Sequence, residues 1–420
     1  MWDKAKLIFK DGDLRRKFLY LMLFLAVFRL ASSIPVPGID ADKLRQFFDA
    51  NQLFGLLNIF SGGGLSNLSI VMLGVGPYIT GSIIMQLLTM IIPSLKEMYQ
   101  EDGEAGRQKF NQYSRILTFP LALIQGFALL TILERQGIFN FTLSQRFGSL
   151  LIVAAGSIFL MWIGELISEY SVGNGVSILI FAGIVASFPS DVRQTLIAYD
   201  PSQLPTLIAF VAVALITIAA VVVISEGERP IPVYYAKRVR GMKMYGGSTT
   251  YLPLRVNQAG VIPIIFALSI LLLPQMVANF LSGSSNLIIK NIASFILGFL
   301  ANNWYHALGY FILVFLFTYF YTAVTFDPEA ISKNLQKSGA FVPGIRPGRN
   351  TSEYLYKIVS RITLAGALFL GIIAVMPSLL QGATGITTLA IGGTSLLIVV
   401  SVVLETAKQI EGQLSLRAYE

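Results

Sequence analysis

The sequence predicts an all-α polytopic membrane protein, and three observations carry that reading. Of its 420 residues 54% are hydrophobic and only 13% are charged. The mean hydropathy of +0.68 is far above that of a soluble domain of this size. Apolar runs long enough to cross about 30 Å of hydrocarbon, which takes roughly 20 helical residues, recur along the chain. We read them at 18–34, 68–92, 115–133, 149–167, 204–224, 259–280, 307–326, 358–376 and 387–404, with a tenth, shorter run at 176–188 that is apolar on every face.

The first run follows a basic, amphipathic stretch, Trp2 to Lys17, which reads as an interfacial helix. It ends at SSIPVPG without a small-x-small cleavage pattern, so it is expected to be retained as a span. The second run is unusual. FSGGGLSNLSIVMLGVGPYITGSIIMQLL, residues 60–88, is softened by Gly62, Gly63 and Gly64 and broken again by Gly74, Gly76 and Pro77. Irregular backbone survives in hydrocarbon only where protein covers it or where it lines a watery cavity, so this stretch is expected to face inward.

The basic residues set the orientation. With the N-terminus cytoplasmic, 24 of the 31 lysines and arginines fall on one side, 6 on the other, and Arg29 lies inside a span. That asymmetry obeys the positive-inside rule and places both termini in the cytoplasm. Five spans precede residue 200 and five follow it. Two halves of odd span number, 1–200 and 201–420, enter the membrane in opposite senses, which is the arithmetic of an inverted repeat.

Two cytoplasmic loops are long. The first, 226–257, has two β-prone runs around a basic, glycine-containing turn, the pattern of a protruding hairpin. The second, 327–357, contains KSGAFVPGIRPGRN, whose prolines and glycines predict a rigid irregular loop displaying Arg346 and Arg349. Such charge runs read first as solvated, topogenic residues. A docking surface for a soluble partner is the functional alternative.

The motifs of membrane enzymes are missing. There is one histidine, His306, beside Trp304 and Tyr305 in an interfacial setting, no HExxH, no phosphate loop and no cysteine for a disulfide or thiolate metal site. We expect no enzymatic activity, no cofactor and no metal. Coupled transporters carry buried acids at mid-membrane. Here the spans hold Arg29, read as structural, and Glu165 near a cytoplasmic end. A secondary transporter with inverted repeats and an insertase without a through-pore stay open as alternatives.

Several segments together resemble the SecY family, the channel subunits of the bacterial Sec protein translocon. They are FRLASSIPVPGID (28–40), NIFSGGGLSNLSIVMLGVGPYITGSIIMQLL (58–88), GEAGRQKFNQYSR (103–115), GELISEYSVGNGVSILIFAGIVA (164–186), YAKRVRGMKMYGGSTTYLPLRVNQAGVIPIIFA (235–267), KSGAFVPGIRPGRNTSEYL (337–355) and GGTSLLIVVSVVLE (392–405). They stand in the family's order and cover nearly the whole chain.

The resemblance implies a clamshell of ten transmembrane helices in two inverted, pseudo-symmetric halves, in the bacterial inner membrane. It implies a protein-conducting channel that translocates unfolded secretory proteins and releases membrane helices laterally into lipid. Its hydrophobic pore ring would be Val75, Ile79, Ile180, Ile184, Ile265 and Ile398. A glycine-rich half-helix would be the plug that seals the resting channel: Ser61, Gly62, Gly63, Gly64, Leu65, Ser66, Asn67, Leu68, Ser69 and Ile70. Gln86, Thr89 and Gln125 would form a weak polar seam at the lateral gate. Lys237, Arg238, Arg240, Lys243, Arg346 and Arg349 would dock the SecA motor or the ribosome, where rRNA phosphates make the binding salt-sensitive. The implied partners also include the small SecE and SecG subunits, signal sequences, unfolded preproteins and membrane lipids.

Overall fold

The computed structural model describes residues 12–37, 61, 63–65, 68–100, 102–135, 142–170, 173–197, 204–235, 238–240, 243–245, 249–282, 286–384 and 388–417. Most of the stretch Trp2 to Lys17 lies outside them. Helix boundaries follow from proline and capping chemistry. The first helix, α1 (Gly12–Ser33), stops ahead of Ile34 and Pro35, because a residue before proline is pushed out of the helical region. Helix α2 (Gly76–Ile91) opens with Pro77 in its first turn, where a missing N–H costs nothing. Ile92 is extended ahead of Pro93, and α3 (Pro93–Gln100) leaves at 115° to α2.

There follow α4 (Gly103–Arg135), α5 (Leu143–Tyr170), α6 (Gly175–Ile197) and α7 (Leu204–Glu226), then strands β1 (Glu228–Tyr235), β2 (Arg238–Arg240), β3 (Lys243–Tyr245) and β4 (Thr249–Arg255). The rest is α8 (Ile262–Leu281), α9 (Leu287–Ala301), α10 (Asn303–Thr325), α11 (Pro328–Lys337), β5 (Ala340–Phe341), α12 (Arg349–Thr384) and α13 (Thr388–Arg417).

Each of the ten apolar runs falls on a helix. Among the described residues, five helical stretches are long and apolar enough to cross a membrane alone: Gly103–Glu134, Leu143–Tyr170, Ile262–Asn279, Trp304–Lys337 and Arg349–Met376. The bent pair α2 and α3 would make a sixth. Two expectations are corrected. The run 68–92 is not one helix, since residues 68 and 70–75 are turns and Ser69 forms a bridge. Leu68 (φ +40°) and Gly74 (φ +59°) stand in a left-handed region that a right-handed helix cannot include. The loop 327–357 is not wholly irregular either. Asp327 caps α11, its carboxylate accepting from the N–H groups of Glu329 and Ala330 at 2.9 and 3.1 Å, with Pro328 in the first turn.

The hairpin expected in the loop 226–257 is present. β1 and β4 pair antiparallel from Glu228↔Arg255 to Tyr234↔Thr249, and β2 pairs with β3 toward the tip. Strand β5, from the second loop, adds to the other edge of β1 through Tyr234↔Phe341 and Tyr235↔Ala340. Pro230 and Pro232 sit where β5 does not reach, and an open edge tolerates a residue without an N–H. The sheet is seated on α12, with Ile231, Leu254 and Val342 packed in one cluster with Leu355, Ile358 and Val359.

Two further clusters lie in the helical body. Leu65, Leu68, Met72 and Leu73 pack with Val36 against Ala122, Leu129, Leu130 and Leu133 of α4 and Val153 and Ala154 of α5. The larger cluster joins helices from before and after residue 200. Those two sets of helices meet along two seams: α8 packs on α2 and α4, and α13 packs on α6.

The segment 61–75 depends on a close approach to α5. A Cβ on Gly156 would stand 2.0 Å from the carbonyl oxygen of Ile70, so only glycine fits there. One residue on, the Ser157 hydroxyl donates to the Gly74 carbonyl at 2.9 Å in a fully buried site. Gly148, on the same helix, has open space around its Cβ position. We therefore expect Gly156→Ala to lower stability by about 1–3 kcal/mol through overpacking. Gly148→Ala should leave it unchanged or raise it by up to about 1 kcal/mol through helix propensity. Equilibrium unfolding in detergent measures both; equal effects would dismiss the close approach.

Candidate functional site

Six aliphatic side chains on four helices fall within one large buried cluster. Val75 is the residue at the N-cap of α2 and Ile79 lies one turn further on; Ile180 and Ile184 lie one turn apart on α6; Ile265 is in the first turn of α8 and Ile398 is on α13. All are 1 to 7% exposed and belong to one contiguous hydrophobic cluster. Two of the helices precede residue 200 and two follow it. The i, i+4 spacing of 75 with 79 and of 180 with 184 places each pair on one helix face. Aliphatic side chains of this kind offer no hydrogen bond and no charge.

The glycine-rich segment lies beside it, and its form differs from the expected half-helix. Its described residues form successive turns: Gly64 N–H donates to the Ser61 carbonyl at 3.1 Å, Leu68 N–H to Leu65 at 2.9 Å, and Ser69 N–H to Gly64 at 2.7 Å. Gly62, Ser66 and Asn67 lie outside the described residues. The segment is tied back to the chain leaving α1, with Val36 N–H donating to Leu68 and Ile70 N–H to Ile34, both at 2.9 Å, around a Pro35↔Ser69 bridge. Ser61 Oγ accepts from Leu65 N–H at 2.9 Å. Ser61, Leu65, Leu68 and Ser69 are fully buried. A Cβ on Gly63 would stand 3.5 Å from a guanidinium nitrogen of Arg29, so the charge inside the first span is set against this segment.

The polar seam is arranged differently from the sequence reading. Gln125 Nε2 donates to Thr80 Oγ1 at 3.3 Å, joining α4 to α2. Thr89 instead donates within its own helix to the Gln86 carbonyl at 2.7 Å, and Gln86 Oε1 is buried without a hydrogen-bond partner. Residue 80 was missed although the signal was there. In an antiparallel pair closed near residue 100, position 125 falls opposite 80, while 86 and 89 fall opposite residues near 115.

The basic loop residues stand as follows. Lys237 lies outside the described residues; Arg238, Arg240 and Lys243 lie on β2 and β3, with Arg240 directly opposite Lys243. Arg346 is exposed beside a turn in which Ile345 N–H donates to Val342 at 3.1 Å, Gly344 supplying φ +78°. Arg349 is exposed and donates to Glu353 at 3.1 Å. Three ion pairs tie the same end of the molecule: Arg115 with Glu165 at 2.5 Å, Arg255 with Glu228 at 3.3 Å and Lys408 with Glu226 at 3.1 Å. Burial raises the Glu405 carboxyl above its ordinary value, and the nearby Arg255 guanidinium opposes that shift. Among the described residues no group of three or more His, Asp or Glu is placed to hold a metal ion.

The Thr80–Gln125 contact carries a quantitative expectation. A double-mutant cycle of Thr80→Val and Gln125→Leu should give a coupling of about 0.6 kcal/mol, and no more than about 2. Gln86→Leu combined with Gln125→Leu should be additive. Coupling in the second cycle and none in the first would restore the arrangement read from the sequence.

Comparison with known proteins bears on the whole chain. The SecY family model matches residues 69–407. The chain is 43% identical over 436 aligned residues to the protein translocase subunit SecY of Thermotoga maritima, covering 100% of this chain and 97% of that protein. Among solved structures, a protein-conducting channel superposes with a TM-score of 0.64 at 19% identity, covering 94% of this chain and 91% of the other. The channel of a canine ribosome-channel complex from the endoplasmic reticulum gives 0.59 at 19% identity, with 94% and 91% covered. These two likenesses speak for the fold. The match over the full length at this identity is decisive: the chain belongs to the SecY family.

Proposed function

We propose that the chain is a protein-conducting channel that passes unfolded secretory proteins across the bacterial inner membrane and releases membrane-protein helices sideways into lipid. One observation carries the reading: Val75, Ile79, Ile180, Ile184, Ile265 and Ile398, from two helices before residue 200 and two after it, are buried aliphatic side chains of one hydrophobic cluster. An aliphatic ring blocks ions in the resting state and deforms around a passing chain of any sequence, where a charged ring would select and trap.

In this reading ten spans form two inverted halves, 1–200 and 201–420, with both termini cytoplasmic. Residues 61–70 are the plug beneath the ring. The lateral gate is the seam where α8 meets α2 and α4, held by few polar contacts, so an apolar signal sequence can part it. Burial of apolar surface in lipid, at about 25 cal/mol per Å², then drives release. Lys237, Arg238, Arg240, Lys243, Arg346 and Arg349 form the docking surface for SecA or a ribosome, and SecE and SecG complete the complex. Energy comes from these partners, as the chain carries no nucleotide-binding motif.

The absence of cysteine makes the test clean. Single cysteines at Ile79, Ile180, Ile265 and Ile398 are expected to form disulfides with a cysteine in a stalled secretory precursor. Cysteines at the exposed positions Met90, Val185, Val277 and Val403 of the same helices are expected to form none. A verified stalled precursor that links to no ring position would overturn the ring and reopen the transporter and insertase readings.

The docking surface has its own test. Arg346→Glu reverses a charge on an exposed turn and should lower translocation at least tenfold in vesicles while leaving the unfolding midpoint unchanged. Full activity would remove this loop from the docking surface.

A further inference from the structure

Helix α9 differs in character from the apolar helices around it. Its 15 residues reach only about 22 Å at 1.5 Å per residue, too short to cross roughly 30 Å of hydrocarbon. Ile288, Ile292, Phe295 and Phe299 fall on one side at helical spacing and all are exposed, Phe295 at 75%. Lys290, Asn291 and Ser294 occupy a different side and are also exposed, while Ala293 turns inward and is fully buried. Four large apolar side chains in a row do not stay in water on a short helix with one polar face.

The position of α9 says what covers them. It follows α8 and precedes α10, about 30 Å along α8 from the sheet. Phe299 stacks on Tyr305 in the first turn of α10, with ring centroids 5.1 Å apart and planes 6° from parallel. From Tyr305 the exposed apolar stripe continues down α10 through Leu308, Ile312 and Leu316, the lipid-facing side of a membrane-crossing helix. Trp304, 71% exposed, stands beside that junction, where aromatic belts mark the headgroup level. The apolar side of α9 is thus continuous with a surface that lies in lipid.

We propose that α9 lies in the membrane plane at the headgroup–acyl boundary of the phospholipid bilayer. Ile288, Ile292, Phe295 and Phe299 enter the acyl region, and Lys290 reaches the lipid phosphates. The bilayer thereby holds the far end of α8, the helix that packs on α2 and α4. That end cannot shift across the seam without drawing four apolar side chains through the interface.

Spin labels on single cysteines test this in the intact, purified channel complex, reconstituted in vesicles of phosphatidylethanolamine and phosphatidylglycerol. Labels at 292, 295 and 299 should be relaxed several-fold more by oxygen, which concentrates in acyl chains, than by a water-soluble nickel chelate. Labels at 290, 291 and 294 should show the reverse preference, so that the ratio oscillates with helical period. Nickel access at all six positions would overturn the proposal by placing α9 in water. Shielding of 292, 295 and 299 from both reagents would overturn it too, by assigning the face to a partner protein or a second copy of this chain.

Discussion

Backbone polar groups that leave helical geometry inside a membrane protein must find partners within the protein, because lipid offers none. Much of the structure follows from how residues 61–75 meet that demand. Their turns satisfy part of it locally, the strand-like exit of α1 takes the Leu68 carbonyl and the Ile70 N–H, and Ser157 takes the Gly74 carbonyl. Gly156 is the condition for the last of these, since any side chain there would hold the Ile70 carbonyl away from α5. Leu65 and Leu68 then fill the pocket between α4 and α5. The glycines that weaken this segment as a helix are what allow it to fold into a tightly held cap.

The join between the two sets of helices is built on a different principle. The larger cluster supplies aliphatic and aromatic contacts there. Dispersion and burial are non-directional, so a surface of this kind has no single geometry that it must keep. Directional contacts are found within each set. Thr80 with Gln125 binds α2 to α4 on one side of the seam, Arg115 with Glu165 binds α4 to α5, and Lys408 binds α13 to α7 through Glu226 and the Ser225 carbonyl. Rigid connections within each set and a soft surface between the sets are what a channel that opens around a chain requires.

How far the sequence could be read follows from which kind of information each feature needs. Each of the ten apolar runs overlaps a helix, because the pattern is local and strong, but apolar length passed over the short helix α9 (Leu287–Ala301); the aliphatic positions 75, 79, 180, 184, 265 and 398 were read through motif blocks and fall in one buried cluster. The seam was read at Gln86 and Thr89 because they are conspicuously polar, yet the hydrogen bond of Gln125 goes to Thr80. Antiparallel register, which composition does not show, sets that pairing. The described residues of 61–70 form turns, which the sequence could not show because they rest on contacts to residues 34–36 and 156–157, far away in the chain. The second loop hid a helix because its prolines and glycines drew attention from Asp327 and Pro328, an ordinary N-terminal pair for α11.

Strand β5 changes what the two basic loops are. Read separately they are a protruding hairpin and a rigid irregular loop whose starts lie about a hundred residues apart; joined through Tyr234↔Phe341 and Tyr235↔Ala340, they form one platform on α12. The platform runs directly into α8. Val256 N–H donates to the Gly227 carbonyl at 2.8 Å, Asn257 Nδ2 donates to the Gly260 carbonyl at 3.1 Å, and α8 begins immediately after Val261. Gly366 of α12 lies so close to this joint that a Cβ there would stand 2.7 Å from the Val256 carbonyl oxygen. The surface that carries Arg346 and the helix that lines the α2/α4 seam are therefore one continuous piece of structure, held at one end by α12. The hydrogen bonds at this joint and the close approach of Gly366 fix the direction in which α8 leaves the platform and so where it meets α2 and α4.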